Sequence, residues 1–262
     1  DDVRGAYKHA GLFNRRRLKN FDKLIQLSDK VYGATEELAR EYSSLYSITI
    51  DPLYKGCSFM PIVDKSHNIC EILYAGNLHY GRVEVLSKLA EAISICNATT
   101  AQKCHLSIYS NTIISDNERK LLDWPIVSSL YSAVPYKEVM ELMNKASIVL
   151  HVESFQQDQI EKVRLSFSTK IIDCMQSGSV LMVVGPNGVS SVEYAKRIPG
   201  VITITSLNNL RTGLADVLSE IDTLKERALS IRNYSMSHHN IDDNRNKLRN
   251  DFSKLIGCER MP

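Results

Sequence analysis

Three short stretches hold the side chains best suited to chemistry. In Ser168-Thr169-Lys170-Ile171-Ile172-Asp173-Cys174-Met175-Gln176-Ser177-Gly178 a cation and an anion stand three residues apart, and the apolar run Ser179 to Gly185 follows at once. Ser168 is a residue type that caps helix starts, and Gly178 suits the left-handed residue that closes one. The stretch therefore reads as a capped helix leading into a buried strand. Lys170 and Asp173 share a face of that helix, while Ile171, Ile172 and Met175 turn toward a sheet. A helix N-terminus beside a lysine favours phosphate, and an acid one turn further in can accept hydrogen bonds from a ribose diol. The chemistry predicted is that of a nucleotide pocket. The competing structural reading makes Lys170 and Asp173 an exposed ion pair.

The second stretch is Gly76-Asn77-Leu78-His79-Tyr80-Gly81-Arg82, and the third is His151-Val152-Glu153-Ser154-Phe155. Glycines let a backbone approach a phosphate closely, and arginine adds a bidentate donor. Read alone, the first of these is a tight turn with an exposed arginine. His151 reads as a strand residue with a satisfied ring.

These residues need elements to hold them. Glu71 to Gly76 has strand character and ends on glycine. Leu86, Leu89, Ala90 and Ile93 follow at helical spacing. Lys103 to Tyr109 alternates as a strand, Ser115 caps a short helix through Leu122, and Pro125 to Leu130 supplies another strand. Val139, Met140, Leu142, Met143 and Ala146 mark the buried side of the next helix, before the strand Ser147 to Val152. The capped helix, the strand Val180 to Val184, a helix near Ser190 to Arg197 and the strand Val201 to Ile204 complete the series. This rhythm, over residues 71–205, predicts an α/β fold. It is a Rossmann-like parallel sheet with helices on both faces, whose ligands sit beyond the C-terminal strand ends.

The flanks differ. Residues 1–50 read as mostly helical, with a brief strand at Lys30-Val31-Tyr32 and a cap at Thr35. Residues 51–70, with Pro52, Gly56 and Pro61, read as a linker. Residues 206–262 read as helices broken near Tyr234–Asn240. Net charge is +2 on 262 residues, with 24% charged and 44% hydrophobic, which argues against a dedicated nucleic-acid binder. No apolar run reaches the length of a membrane span. Six cysteines show no Cys-x-x-Cys spacing and His238-His239 lacks further ligands, so no metal site or redox pair is indicated. Reduced thiols in the cytoplasm are the simplest expectation. The basic run Asn14 to Lys19 reads as a solvated helix face, or as a contact for anionic lipid.

Strand-Gly76-Asn77 through Gly81-Arg82 resembles the first strand-to-helix turn of the donor-binding domain in retaining GT-B glycosyltransferases, family 4 most closely. Arg82 stands where that family's basic diphosphate-gripping residue is expected, whereas Asn77 replaces its other common basic residue. Glu153 after its strand, and Asp173 five residues before Gly178, are similar to the family's paired acids. The second acid is aspartate here, and the two lie twenty residues apart rather than eight. The segment Gln156–Leu165 is therefore expected to loop out, and Glu161 competes with Glu153 for the first role. Ser168-Thr169-Lys170 resembles an element of a bacterial subset of these enzymes. Leu130 to Tyr136, with Ser132 and Val134, falls where the family's base-contacting loop lies.

The resemblance implies transfer of a sugar, with retention and without metal, from a nucleotide-diphosphate sugar, UDP before GDP or ADP, to a saccharide or lipid-linked saccharide acceptor. Arg82, Lys170 and Glu153 would serve the reaction. Gly76, Asn77, Ser132, Val134, Ser168, Thr169 and Asp173 would bind the donor, which is substrate rather than cofactor. Residues 1–50 would be a remnant of an acceptor-side domain, and the C-terminal helices would pack back on it, burying Leu248, Phe252 and Leu255. The chain is then expected to be a fragment that binds donor but transfers nothing, its parent enzyme lying against a membrane. A non-catalytic Rossmann-like module for nucleotide sugars or a protein partner is the alternative. A nicotinamide enzyme needs Gly-x-Gly-x-x-Gly, and residues 76–81 offer only two glycines.

Overall fold

Six short parallel strands form the centre of the main hydrophobic core. The computed structural model describes residues 12–63, 65 and 69–257. The chain begins with α1 (Leu12–Leu27), β1 (Val31–Gly33), α2 (Glu36–Tyr46) and β2 (Ile50–Pro52). Then come β3 (Ile69–Ala75), α3 (Arg82–Thr99), β4 (Lys103–Tyr109), α4 (Asp116–Leu122), β5 (Ser128–Tyr131), α5 (Tyr136–Lys145) and β6 (Ile148–Val152). The series continues through α6 (Gln157–Val163), α7 (Lys170–Gln176), β7 (Val180–Val184), α8 (Ser190–Lys196) and β8 (Ile202–Ile204). It ends with α9 (Leu210–Ser219), α10 (Leu224–His238) and α11 (Ile241–Leu255).

The main sheet has the order β5-β4-β3-β6-β7-β8, parallel throughout. The chain winds outward from β3 in one direction and, starting at β6, in the other. The seam between β3 and β6 is therefore a topological switch point, where helices leave to opposite faces and a crevice opens above the strand ends. β6 and β7 are buried at every residue, as strands covered on both faces must be. That explains why Val180–Val184 reads as an unbroken apolar run rather than an alternating one.

Local signals place several element starts. Thr35 caps α2 by accepting from Leu38 N at 3.0 Å. Ser115 and Glu118 close a reciprocal capping box at α4, satisfying two orphan donors. The strand expected from Pro125 starts instead at Ser128. Trp124 and Ser128 bond each other's backbones around a tight turn in which Ile126 has φ 74°.

The stretch read as a linker contains structure. β2 pairs with β1 in a second, two-stranded parallel sheet, and Cys57 bridges to Asn240. A small core of Leu38, Ala39, Tyr42 and Ile50 forms beside this sheet, with Leu165 of the larger body inserted in it. Residues 156–165, expected to loop out, contain α6 instead. The C-terminal break falls at His239-Asn240, where Asn240 caps α11.

Along α11 the expected apolar burial is not found. Leu248 is half-buried, while Phe252 and Leu255 are 60% and 47% exposed. Three polar residues, three to four apart on one face, reach other elements. Asn244 donates to Tyr54 O, Lys247 pairs with Asp51, and Asp251 accepts from Tyr32 Oη at 2.7 Å. Among the described residues no helix is long and apolar enough to cross a membrane, and Arg15, Arg16, Arg17 and Lys19 lie exposed on α1.

Candidate functional site

The site gathers at the C-terminal ends of β3 and β6. β3 ends at Ala75, and Gly76 continues the chain into the loop before α3. A Cβ on Gly76 would lie 3.0 Å from Lys170 Nζ and 3.1 Å from Tyr74 Oη, so a side chain there would crowd the lysine. Gly81, at φ 72°, is the residue before α3, and a Cβ on it would come within 2.4 Å of Ser154 Oγ. The loop is thus pressed against the end of β6, and only glycine tolerates both the conformation and the approach.

Arg82, first residue of α3, is clamped across that end. Its Nε donates to Val152 O at 3.2 Å, Nη1 to Asn77 Oδ1 at 2.6 Å, and Nη2 to Glu153 Oε2 at 3.2 Å. Glu153 is buried, and its other oxygen lies 2.9 Å from His151 Nε2. Burial pushes the Glu153 carboxyl up, but the His151 contact and the Arg82 charge outweigh it and hold the group below the usual carboxylate range. Burial lowers the His151 pKa, against the pull of the Glu153 carboxylate. The ring is only half satisfied, because Nδ1 has no hydrogen-bond partner.

Lys170 opens α7 with its Nζ 4.0 Å from the centre of the Tyr74 ring, a cation–π contact. It forms no ion pair with Asp173 or any other described carboxylate. Burial lowers its pKa to about 8. Asp173 turns elsewhere: its Oδ1 accepts from Lys55 Nζ, from Tyr136 Oη at 2.8 Å and from Gln176 Nε2 at 3.1 Å. The exposed Lys170–Asp173 ion pair is therefore not formed.

A cavity of about 340 Å³ lies over these groups, lined by Gly76, Asn77, Tyr109, Ser110, Asn111, Val134, Tyr136, Met140, Met143, Lys170 and Asp173, among others. Arg82 and Glu153 stand behind Asn77 at its edge. Ser132, Ser168 and Thr169 do not line it. Nor does Ser168 cap α7. Thr169 already has helical angles, φ −59° and ψ −17°, and makes no side-chain cap bond, while the Ser168 N–H donates to Ser191 Oγ. Glu161 is exposed on α6 and bonds only Gln157, so Glu153 is the acid beside Arg82.

The sequence reading missed Tyr74, Lys55 and Tyr136 as neighbours of the charged groups. It also missed the stacked Tyr109–Tyr131 pair, with centroids 4.9 Å apart, near the cavity's edge. Tyr136 had a signal, following Pro135 at a helix start; Lys55 had none. His239 is buried and bonds Tyr194 Oη and Lys55 O, so it serves packing. No group of three or more His, Cys, Asp or Glu suited to a metal occurs among the described residues. Cys57, Cys70, Cys96, Cys104 and Cys174 are free thiols; Cys258 lies outside the described residues.

No protein-family model matches the chain, and no curated protein matches it. Solved structures do. HepE of Anabaena, in complex with UDP and glucose, superposes with a TM-score of 0.70 over 95% of this chain and 69% of its own, at 10% identity. Sucrose-phosphate synthase of Thermosynechococcus elongatus gives 0.66 over 97% and 66%, at 12% identity. WaaG, a glycosyltransferase involved in lipopolysaccharide biosynthesis, gives 0.59 over 90% and 68%, at 14% identity. The fold is that of the GT-B glycosyltransferases. The chain spans between 45% and 70% of the lengths of TarM and HepE, two of the structures it matches. In the GT-B frame, the seam between β3 and β6 is the crevice of the Rossmann-like domain; Gly76, Lys170 and Asp173 line its mouth, with Arg82 behind Asn77.

Proposed function

We propose that this GT-B chain binds a nucleotide-diphosphate sugar, a UDP-sugar first, and serves its retaining transfer to a saccharide or lipid-linked saccharide acceptor. The observation that carries the reading is Lys170: a partly buried ammonium without a carboxylate partner, beside Arg82, in a crevice at the switch point. Burial has lowered its pKa, so its charged form gains from an anion brought against it. A diphosphate bridging Lys170 and the two Arg82 N–H groups not already bonded supplies that anion. HepE, a neighbour of the same fold, holds UDP-glucose, which agrees with this choice.

In this reading Asp173 accepts from the ribose through Oδ2, and the backbone around Ser132–Val134 meets the base. Arg82 and Lys170 stabilise the charge that grows on the departing diphosphate. Glu153 acts from behind Arg82 rather than on the sugar. No side chain serves as nucleophile, so rate comes from position and charge, with no metal and no resident cofactor. The enzyme is assigned to the bacterial cytoplasm, against the membrane when its acceptor is lipid-linked. The chain alone is expected to bind donor without transferring sugar.

Calorimetry with UDP, GDP and ADP tests this. Arg82→Ala and Lys170→Ala should each weaken UDP binding by about 1.5–3 kcal/mol, the worth of a charge-assisted contact. Native affinity in both variants would defeat the assignment.

A further inference from the structure

His151 and Glu153 are two residues apart at the end of β6, so both side chains leave the same face of the chain. His151 Nε2 lies 2.9 Å from Glu153 Oε1, and His151 Nδ1 is buried with no partner. An ionised carboxylate only accepts, so Nε2 carries a hydrogen and donates it. An enclosed ring nitrogen without a partner is a standing cost to the fold, which a leucine in the same place would not incur. The gain that offsets it lies on the other side of Glu153.

There, Oε2 holds Arg82 Nη2 by a single bond at 3.2 Å, while Nε and Nη1 are held by Val152 O and Asn77 Oδ1. Three of the five guanidinium N–H groups are thereby fixed and two are left. A carboxylate with both oxygens open prefers to take an arginine in a two-bonded fork. With Oε1 held by His151, Glu153 has only Oε2 for Arg82. It steadies the guanidinium without using its last donors.

We propose that His151 is a positioning residue, whose Nε2–H bond to Glu153 keeps that carboxylate singly bonded to Arg82 and so leaves the guanidinium aimed at the donor's diphosphate. The proposal rests on the nucleotide-sugar reading of the site. Without the imidazole donor, Glu153 swings both oxygens onto Arg82, draws it back toward β6 and competes with phosphate. The nucleobase and ribose contacts, on the far side of the cavity, are unaffected.

His151→Leu removes the donor at similar volume, and His151→Gln places an amide N–H near the position of Nε2. UDP binding is measured by calorimetry and uridine binding by chemical-shift titration. His151→Leu should weaken UDP by about tenfold or more, the scale of a lost charge-assisted bond, while leaving uridine unchanged. His151→Gln should recover most of the UDP affinity. Equal weakening of UDP and uridine would mark a merely structural role and overturn the proposal, as would a leucine variant that binds UDP like the native chain. A native chain with no affinity for UDP would overturn the nucleotide-sugar reading and this proposal together. Nitrogen-15 spectra of the native, ligand-free protein provide a check that needs no variant to fold. They should show a hydrogen on His151 Nε2, and a ring protonated only at Nδ1 would overturn the proposal.

Discussion

Lys55, in the segment joining the two sheets, forms an ion pair with Asp173 on α7, 118 residues further along the chain. The lysine reaches it because its own backbone is fixed. Lys55 O accepts from His239 Nδ1 at 3.2 Å, Cys57 N donates to His239 O at 2.9 Å, and Tyr54 O accepts from Asn244. A Cβ on Gly56 would lie 2.8 Å from Ile241 Cα, so glycine allows the segment to run this close to α11. Lys55, Tyr136 and Gln176 all bond Oδ1 of Asp173, and no described residue bonds Oδ2.

If Oδ2 serves the ribose, Asp173→Asn should weaken UDP binding by about 1–2 kcal/mol. Lys55→Ala should cost less than about 1 kcal/mol, because the lysine is more than one-third exposed and its pairing is screened. Calorimetry on the two variants checks the order. Equal losses would mean that Asp173 acts through Lys55 rather than on the ligand.

Lys170 sets a pH dependence. Its pKa is lowered to about 8, mainly by burial, with Arg82 adding to the shift. A bound diphosphate favours the charged form, so binding takes up protons near this pH, and UDP affinity falls as pH rises above it. The sign for stability is opposite. Between about 8 and the unfolded value of about 10.4, the unfolded chain holds a proton the folded chain has lost, so this group's contribution to stability rises with pH there. Titrations at pH 8 in two buffers of different ionisation enthalpy measure the uptake. Lys170→Met should abolish it, and no uptake in the native protein would contradict the assignment.

In the proposed reading, positive charge for the diphosphate comes from side chains, and the described residues hold no metal-ligand cluster. UDP affinity should therefore survive chelation by EDTA within about twofold. A strict need for magnesium or manganese, read by restoring each ion to stripped protein, would point to another way of neutralising the phosphates.

Two glycines separate backbone strain from crowding. Gly81 and Gly188 both have positive φ, at 72° and 83°. A Cβ at Gly81 strikes Ser154 Oγ at 2.4 Å, whereas one at Gly188 meets nothing within 4 Å. Gly188→Ala should cost about 1–2 kcal/mol, the penalty of the left-handed conformation alone, and Gly81→Ala distinctly more. Denaturant unfolding of the two variants gives the comparison, and equal losses would show that Ser154 yields freely.

By itself the sequence determined the alternation of strand and helix from Glu71 to Ile204, the caps at Thr35 and Ser115, and the residue types for the charged mouth of the crevice. These depend on periodicity and on bonds between residues three or four apart, which a linear reading contains. It also placed Gly76, Arg82, Lys170 and Asp173 near strand ends. Only the tertiary structure decided which charges meet. Lys170 and Asp173 share a helix face yet do not pair, because Lys55 arrives at Asp173 from a distant segment and the Tyr74 ring takes the lysine. Leu248, Phe252 and Leu255 recur at helical spacing, yet that face of α11 remains largely open, and the contacts pass through Asn244, Lys247 and Asp251. Glu153 could be weighed against Glu161 only once α6 had formed and carried Glu161 into solvent. Local order follows from near neighbours, whereas the partner of a charge is set by how distant elements pack. That packing brings Lys55 and Tyr136 to Asp173, the Tyr74 ring to Lys170 and His151 to Glu153.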